Sequence, residues 1–407
     1  MSYQFLSPGP LTKWPKCVYL RPLYVIHRIH TPNSSNKYLY MKIELIRDTL
    51  VDAVGKAEKV AGKNPTLPVI AGLFLEAKNK LLTIRATNLD LGVSINVPAK
   101  VLEEGAIVVP AHILSSFLNS LGKEKSITLE SNTKTLSVTT DKTKTSMNLL
   151  SAEDFPVIPE LRDDDAFKVP AKDLVSGIKS VLYAASVGSI KPELSSVCLS
   201  YDGEHLVFVA TDSFRLAEKK IKSKHIPPFT QILIPQKNAA EIARIFDGAG
   251  EDVSLVVEEH QLALRSGNVY VTSRVIDGVF PDYKQVIPKE SAAEATLLKQ
   301  DLQSSLKTSL IFSDQFNQLK ISLDPKDKKF EIESKNQNVG ESVYNISAAL
   351  TGKALSIAVN HRYFTDCFNS VAADSLTLSF AGEGRPIVVH GVGDKTFMYL
   401  VMPMNRS

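Results

Sequence analysis

The sequence has little cysteine and no long hydrophobic run, and both absences narrow the class of protein. Its three cysteines, Cys17, Cys198 and Cys367, lie far apart among 407 residues. This spacing matches neither a disulfide framework nor a zinc-ligand set, and it suits a reducing compartment, so we expect a cytoplasmic protein. No apolar run approaches the roughly 20 residues that a membrane-spanning helix needs, so no membrane partner is expected.

Motifs of common catalytic and cofactor-binding sites are also absent. The chain contains no GxxxxGKS or GxxxxGKT phosphate loop and no HExxH zinc motif. Two glycine-containing stretches, 248–253 and 391–396, lack the third glycine of a dinucleotide-binding loop. We therefore expect no cofactor and no metal.

Acidic residues are missing from residues 1–40, which hold five lysines and arginines and five prolines. All 44 acidic residues therefore face only 42 of the 47 basic ones in the rest of the chain, a net charge of −2. The leader is either a targeting segment or an upstream extension without a fold of its own. We expect an extension, because a regular pattern begins at Met41. Any basic surface on the body must come from the arrangement of charges.

What the sequence does contain is one unit repeated three times. Residues 73–92 align without gaps to residues 197–216, an offset of 124 that places Asn88 on Asp212. Further matched segments are 107–122 with 232–248, 154–160 with 279–290, 206–212 with 330–336, and the helix after Pro235 with 357–371. The repeats predict an extension over 1–40, domains over 41–160, 161–289 and 290–407, and charged linkers at 162–167 and 288–295.

Each unit shows the same order of predicted elements. An amphipathic helix with apolar residues three and four apart comes first, over 46–61, 171–186 and 297–312. Alternating strands follow, then a second helix after a Pro or Asn, then more strands such as those within 253–275. Two helices packed on antiparallel sheets in each unit make an α+β fold.

Lysine and arginine recur on the predicted helices of all three units. They are Arg47, Lys56, Lys59, Lys172, Lys179, Lys299 and Lys307 on the first helices, and Lys237, Arg244 and Arg362 on the second. Such residues are typical of a solvated helix face, but their repetition also fits a basic stripe that follows phosphates.

Asp212 with Arg215 is the candidate pair of charged residues for an active site, with Asp212 as the acid. The alternative is a turn in which the aspartate accepts hydrogen bonds from backbone amides after a strand. Asn88 occupies the matching repeat position and favours the same kind of turn, so we expect the turn.

Four segments closely resemble the bacterial replicative sliding clamp family, the beta subunits of DNA polymerase III. They are KNPTLPVIAGLFLEA, VATDSFRLA, DGVFPDYKQVIPK and YLVMPM, and the resemblance runs from Met41 to about Met404. It implies a ring-forming DNA clamp fold: a head-to-tail homodimer of six similar domains with helices on the inner wall. It also implies a non-catalytic processivity factor that encircles double-stranded DNA without reading its sequence and tethers the polymerase.

The resemblance further implies a pocket between the second and third domains. There the DNA polymerase III catalytic subunit, the clamp loader and other replication and repair proteins insert a short apolar peptide. Carried onto this sequence, the pocket residues are Leu194, Thr211, Ser213, Phe214, Arg215, Leu216, Pro281, Gln285, Val286, Leu400, Val401, Met402, Pro403 and Met404. We expect Leu194, Leu216, Val286, Met402 and Met404 to form one exposed apolar pocket. The chain departs from the family at Ser213-Phe214, where Gly-His is frequent, and at Gln285, where a basic residue is common.

By the same resemblance, DNA contacts and a dimer seam can be placed on this sequence. DNA contacts are expected at Lys63, Asn64, Lys172, Lys179, Lys237 and Arg244, and the seam at Ile311 and Phe312. Two other classes stay open: a β-rich repeat enzyme (hydrolase or transferase) of unknown substrate, and a purely structural repeat protein. Retention on closed circular DNA without turnover would separate a clamp from both.

Overall fold

The computed structural model describes residues 40–63, 66–122, 124–162, 165–188, 190–224 and 226–404, so all of the predicted extension except Tyr40 lies outside the described residues. Within these ranges the chain forms three α+β units of the same element order, which confirms the predicted fold class. The first unit contains β1 (Lys42–Ile46), α1 (Arg47–Glu58), β2 (Gly72–Lys78), β3 (Leu81–Thr87), β4 (Leu91–Pro98), β5 (Lys100–Glu103), β6 (Gly105–Pro110), α2 (Ala111–Ser120), β7 (Ser126–Ser131), β8 (Thr135–Thr139) and β9 (Lys144–Asn148).

The other two units repeat this order, except that the second has no strand matching β5 among its described residues. The second contains β10 (Phe167–Pro170), α3 (Ala171–Val181), β11 (Ser196–Tyr201), β12 (His205–Thr211), β13 (Arg215–Lys222), β14 (Ile232–Pro235), α4 (Gln236–Ile245), β15 (Asp252–Val257), β16 (Gln261–Ser266) and β17 (Val269–Arg274). The third contains β18 (Ala293–Leu298), α5 (Lys299–Ser309), β19 (Gln318–Asp324), β20 (Lys329–Asn336), β21 (Gly340–Asn345), β22 (Ala348–Gly352), β23 (Leu355–Asn360), α6 (His361–Thr365), β24 (Ser375–Phe380), β25 (Ile387–Gly391) and β26 (Phe397–Val401). Short 3-10 turns lie at Pro68–Ala71, Leu182–Ala184, Tyr283–Val286, Leu310–Phe312 and Asp366–Ser370.

Hydrophobic periodicity explains these elements. LLTIRAT forms β3 and buries every second side chain from Leu82 onward, as a strand with one covered face should. HLVFVAT forms β12, which is buried on both faces because a second apolar cluster covers its outer side. In α3, Leu174, Ile178 and Val181 are buried at helical spacing and face the core.

The strands form four antiparallel sheets, and two of these sheets join neighbouring units. The eight-stranded sheet runs β10-β15-β16-β17-β4-β3-β2-β6, so β17 of the second unit pairs with β4 of the first. The nine-stranded sheet runs β14-β11-β12-β13-β26-β25-β24-β18-β22, so β13 of the second unit pairs with β26 of the third. We call these two pairings the first seam and the second seam. The remaining sheets, β5-β1-β7-β8-β9 and β21-β20-β19-β23, end in β9 and β21.

The helices lie in pairs that contact one another across both seams. Within the units, α1 packs on α2, α3 on α4 and α5 on α6. Across the first seam, Arg244 of α4 donates to backbone carbonyls at the end of α1. Across the second seam, α3 packs against the turn Asp366–Ser370 that follows α6. One large apolar core beneath the helices contains buried residues from all three units.

Helix and linker limits differ from the prediction. The first helices end at Glu58, Val181 and Ser309, earlier than expected, and α5 starts at Lys299 rather than at residue 297. The predicted linkers 162–167 and 288–295 are partly strand, because Phe167 begins β10 and Ala293 begins β18. In β18 alternate side chains from Ala293 onward are buried, so the chain already pairs as a strand where sequence charge suggested a linker.

The buried imidazole of His361, at the start of α6, has one satisfied nitrogen. Its Nε2 lies 2.7 Å from the Leu306 carbonyl oxygen and donates to it, whereas Nδ1 has no hydrogen-bond partner within the described chain. Burial lowers the pKa of His361; the Leu306 carbonyl opposes this shift in part, and the positive charge of Arg362 adds to it. Protonation of Nδ1 would therefore place a charge in the core without a partner.

We expect His361 to make the fold sensitive to acid. A histidine whose pKa is lower in the folded state contributes its full stability above the unfolded pKa of about 6.5, and this contribution is lost as the pH falls below that value. His361→Gln, which retains a donor toward Leu306, should lose less stability than the native protein between about pH 7.5 and 5.5. Urea unfolding at the two pH values measures this, with the exposed His112→Gln as control. Equal losses in the native protein and His361→Gln would contradict the assignment.

Candidate functional site

The C-terminal strand β26 lies between β13 and β25 and so belongs to the second seam. Leu400 pairs with Leu216 of β13, and both side chains are buried in an apolar cluster on the outer face of the sheet. Because neighbouring residues of a strand face opposite sides, Val401 points into the main core and away from Leu400. Val401 therefore belongs to the core and not to the predicted pocket, and Leu216 and Leu400 form a buried floor.

The residues after β26 are held by one backbone hydrogen bond to the second unit and one within the third unit. The Met402 amide donates to the Phe214 carbonyl at 2.8 Å, and the Met404 amide donates to the Ala358 carbonyl at 2.7 Å. Met402, Pro403 and Met404 are half-buried. The tail thus overruns the sheet as expected, but it is part of the joint between the second and third units.

A tight turn between β12 and β13 carries five of the predicted pocket and turn residues. The Thr211 hydroxyl accepts from the Ser213 amide at 3.2 Å and donates to the Arg215 carbonyl at 2.7 Å. The Asp212 carboxylate accepts from the Phe214 and Arg215 amides at 2.9 and 3.0 Å. Ser213 adopts a positive φ of 78° to close the turn. This confirms the turn interpretation of Asp212.

The first unit has the same turn at the position that the repeat predicted. The Asn88 side chain accepts from the Asp90 and Leu91 amides at 3.0 and 2.8 Å, and Leu89 has a φ of 79°. Thr87 takes the role of the second unit's threonine, since its hydroxyl donates to the Leu91 carbonyl at 2.9 Å. The shared Thr-Asn/Asp pattern is therefore a structural element of the repeat.

Arg215 joins the second and third units. Its Nε donates to Asp212 at 2.9 Å, Nη1 donates to Asp366, and the guanidinium carbon lies 4.6 Å from the centre of the Tyr363 ring. Burial alone would lower the pKa of Arg215, but Tyr399 and the two carboxylates raise it above its ordinary value. Sequence reasoning missed Tyr363 and Asp366, because they lie in the third and faintest copy of the repeat, although their position after β23 was aligned with the helix after Pro235.

Only part of the predicted pocket is open to solvent. Phe214 is 60% exposed and stacks on Tyr363 with ring centres 6.2 Å apart, and Val286 is 49% exposed. Pro281 and Gln285 are also exposed, and Gln285 donates to Asp282 at 2.8 Å. Leu194, Thr211 and Leu216 are buried, so the residues expected to form one exposed apolar pocket do not all reach solvent. The structure instead shows a buried floor, a half-buried methionine edge and an exposed rim.

The predicted DNA-contacting lysines differ in how free they are. Lys63, Lys172 and Lys237 are exposed. Lys179 forms an ion pair with Asp247 at 2.8 Å, in which both side chains are about half exposed. A surface pair of this kind is weak, so Lys179 can still exchange its partner for a phosphate.

Arg244, the other basic residue expected to contact DNA, makes contacts within the chain that the sequence did not indicate. Its guanidinium donates to Glu241 at 2.6 Å and to the carbonyls of Gly55 and Lys56 at 3.3 and 2.7 Å. These carbonyls lie near the end of α1, where a helix leaves carbonyl groups unpaired. Arg244 therefore ties the second unit to the first across the first seam. Asn64, the neighbouring prediction, lies outside the described residues.

The predicted dimer residues occupy the 3-10 turn after α5. Ile311 is 66% exposed, whereas Phe312 is half-buried. An exposed isoleucine beside a half-buried phenylalanine leaves an apolar surface that the described residues do not cover.

Within the described residues, the remaining features that could serve a function are titratable clusters, apolar helices and cysteines. No three His, Cys, Asp or Glu side chains converge as metal ligands there, and no described helix is long and apolar enough to cross a membrane. Cys198 and Cys367 are buried free thiols, and burial raises the pKa of Cys198 to about 12, so it is not a thiolate at neutral pH.

Three copies of one α+β unit, joined by shared sheets and by helices that meet across the same seams, define a DNA clamp subunit. Sequence profiles of the DNA polymerase III beta subunit match the whole series: the N-terminal domain over residues 41–159, the central domain over 168–282 and the C-terminal domain over 284–405. The chain belongs to the family of DNA polymerase III beta subunits, the sliding clamps.

Individual relatives agree with this assignment. The beta sliding clamp of Synechococcus elongatus is 28% identical over 371 residues, covering 89% of this chain and 99% of the relative, and that of Bacillus subtilis is 27% identical over 378 residues with the same coverage. The crystal structure of the Bacillus subtilis sliding clamp has a TM-score of 0.85 at 25% identity and covers 90% of this chain and 100% of its own. A Caulobacter (C. crescentus) clamp structure has a TM-score of 0.82 at 26% identity, covering 90% and 99%.

The chain is thus a sliding clamp subunit of DNA replication, a non-catalytic processivity factor whose partners are DNA and DNA polymerase. The alternative of a β-rich repeat enzyme is not supported.

Proposed function

We propose that two copies of this chain close head to tail into a ring around double-stranded DNA, with three domains per copy at 41–160, 161–289 and 290–407. The observation that carries this proposal is the pair of sheet edges at β9 and β21. β21 is the third unit's copy of β4 and β13, and β9 is the first unit's copy of β17 and β26. Of the strands equivalent to those at the internal seams, β9 and β21 alone have no such partner in the described part of one copy. Two copies can pair β9 of each with β21 of the other, which gives two contacts.

The internal seams also supply a register for this contact. Leu91 pairs with Ser273 at the first seam, and Arg215 pairs with Val401 at the second. The matching pair between copies is Gly340 with Met147 of the second copy. In this register the inward-facing side chains of both strands continue the core face of their sheets.

The residues at one pair of equivalent repeat positions contact each other at both internal seams. These pairs are Asn238 with the Asp90 carbonyl, at 3.2 Å, and Tyr363 with Phe214, whose ring centres are 6.2 Å apart. The same repeat positions at the free ends are Ile113 and Val339, which are 52% and 58% exposed. We expect these two apolar side chains to meet across the dimer seam.

A cavity at the free end of the first unit offers a place for Ile311. It has a volume of about 390 Å³ and is lined by Phe117, Ser120, Leu121, Gly122, Glu124, Lys142 and Thr143. Part of its lining occupies the repeat positions that the turn Asp366–Ser370 occupies in the third unit. At the second seam α3 packs against that turn. Ile311 follows α5 as Tyr183 follows α3, and Tyr183 lies at the second seam with its ring centre 6.0 Å from that of Tyr399.

The exposed lysines of the helix layer are proposed to contact phosphates in the hole of the ring. Replacing Lys63, Lys172 and Lys237 by Glu should weaken equilibrium DNA binding and leave the fold intact, since all three side chains are exposed. Loss of three phosphate contacts should also reduce the slope of log affinity against log salt by about 0.9 per contact.

Fluorescence anisotropy with a labelled duplex from ~50 to ~200 mM salt tests this proposal. A matched control replaces three exposed lysines of strands and turns, Lys134, Lys222 and Lys326, with Glu. Equal weakening by both triple variants would leave only a net-charge effect, and affinity independent of salt would rule out phosphate tracking.

The buried floor, methionine edge and exposed rim at the second seam are proposed as the partner pocket. We infer that the DNA polymerase III catalytic subunit, the clamp loader and other replication and repair proteins place a short apolar peptide there, in the cytoplasm. Methionine at 402 and 404 can repack around different side chains. A clamp structure from Pseudomonas aeruginosa, of the same fold, is described as bound to griselimycin, and the C. crescentus structure as holding polyethylene glycol at a putative beta-motif tethering region.

A further inference from the structure

A buried carboxylate lies beneath the outer wall of the proposed pocket. Glu218 is on β13, two residues beyond Leu216 and on the same face of the strand, and it is only 8% exposed. Tyr283 donates its hydroxyl proton to Glu218 Oε2 at 2.5 Å, and Lys220 Nζ lies 3.4 Å from Oε1. Burial raises the pKa of Tyr283, and the hydrogen bond to the carboxylate raises it further, so the tyrosine keeps its proton. None of these three residues was predicted from the sequence to serve the site.

Tyr283 begins the 3-10 turn that forms this wall. The turn Tyr283–Val286 carries Gln285 and Val286, and it follows the exposed Pro281. Its own hydrogen bonds are local: the Tyr283 amide donates to the Pro281 carbonyl, the Gln285 amide donates to the Asp282 carbonyl, and the Gln285 side chain donates to the Asp282 carboxylate.

The attachment of the wall to the sheet therefore depends on few contacts. Among the described residues, the hydrogen bond between Tyr283 and Glu218 is the one side-chain hydrogen bond that connects residues 281–286 to a strand. The other attachment is apolar packing of Phe280 and Tyr283, whose ring centres lie 6.2 Å apart in an edge arrangement. Phe280 precedes the wall, so Tyr283 carries the only aromatic ring within it.

We infer that Glu218 and Tyr283 are positioning residues that hold the Pro281–Val286 wall in the conformation that receives the partner peptide. This inference rests on the proposed pocket. A wall fixed before binding spares the peptide the entropy cost of ordering it, so loss of the bond weakens affinity mainly through faster dissociation. The bond is charge-assisted and partly buried, which makes it stronger than a neutral surface hydrogen bond.

The direct test is Tyr283→Phe, which removes only the hydroxyl group. A labelled apolar peptide from the polymerase catalytic subunit should bind about fivefold to thirtyfold more weakly, whereas DNA binding and dimerisation should not change. Tyr201→Phe is the matched control, because Tyr201 also donates its hydroxyl proton, to the Gly203 carbonyl at 2.7 Å, in the same unit. Unchanged peptide affinity in Tyr283→Phe would overturn the inference.

A second variant separates positioning from stability. Tyr283→Phe leaves Glu218 buried with fewer partners, which destabilises the fold, whereas replacing both members of a buried polar pair by apolar groups is often close to neutral. Glu218→Leu with Tyr283→Phe should therefore recover the melting temperature but not the peptide affinity. Recovery of both together would show a merely structural bond and overturn the inference. If the native protein failed to bind the peptide at all, the pocket itself would be refuted, a result distinct from either outcome.

Discussion

Replacing Ile311 and Phe312 by alanine is expected to convert the proposed dimer into folded monomers. Ile311 is 66% exposed in a single copy, so burying its side chain between two copies would stabilise the proposed dimer. Phe312 is already half-buried and contributes less. Burying such side chains contributes about 2 to 4 kcal/mol per seam. A closed ring contains two identical seams, so the dissociation constant should rise by roughly three orders of magnitude or more.

Sedimentation velocity at low micromolar concentration measures this change. Phe214→Ala is a suitable control. Phe214 is as large as Phe312 and is 60% exposed, but it lies at the second seam. Circular dichroism should show that the double variant keeps its fold, since Ile311 lies outside the core. A double variant that remains dimeric would contradict the placement of the seam.

The proposed contact between Ile113 and Val339 gives an independent test of the register. Ile113→Lys and Val339→Glu should each weaken dimerisation, because each places a charge against an apolar surface. Combining both substitutions in one chain should recover part of the affinity at both seams, since opposite charges then face each other. No recovery in the combined variant would contradict this register.

Replacing Met402 by alanine should remove measurable binding of a polymerase-derived apolar peptide. Met402 is half-buried at the edge of the buried floor. A side chain of the peptide can therefore contact both Met402 and the floor. Truncating a central contact residue typically costs about 2 kcal/mol or more, roughly thirtyfold in affinity. The melting temperature should change little, because the side chain is not fully enclosed and its backbone bond to Phe214 is retained.

Fluorescence anisotropy with the labelled peptide decides this prediction. Leu400→Ala is the contrasting variant: its side chain is fully buried, so it should lower the melting temperature clearly. Removing residues 402–407 altogether is a harsher change, because it also removes the backbone hydrogen bond of Met402 to the second unit and that of Met404 to Ala358 within the third unit. Full peptide affinity in Met402→Ala would refute the pocket.

The repeat was the strongest signal in the sequence. The gap-free offset of 124 predicted that Asn88 and Asp212 occupy the same turn, and the hydrogen bonds confirm it. Alternation within the strands and helical spacing within α3 were equally readable, because both depend on near neighbours in the chain. The three-unit α+β fold follows from these local patterns.

The joints between units could not be read in the same way. Pairing of β13 with β26 links residues almost two hundred positions apart, and no local periodicity records such a partner. The role of Arg244 was missed for a related reason. A basic residue on a helix has the same sequence pattern whether it faces phosphate or caps a neighbouring helix, and only the contact with Lys56 distinguishes them.

The candidate site was readable in part. Its exposed rim at Phe214 and Val286 came from family resemblance, whereas its attachment through Tyr363, Asp366 and Glu218 depends on side chains brought together by the second seam. Solvent exposure in the structure distinguishes the buried floor from the exposed rim. The sequence alone does not show toward which face of the sheet each residue of β26 points.

The location of β26 at the second seam also sets an order of events during translation. The first seam needs β17, which ends at Arg274, whereas the second needs β26, which ends at Val401, 127 residues later. At ~5–20 residues per second, a ribosome needs roughly 6 to 25 s to make that stretch. Through this interval β13 has an unpaired edge, the kind of surface that nascent-chain chaperones shield. The first two units can therefore assemble while the third is still being made, and the joint that carries the proposed pocket is the last within the chain to form.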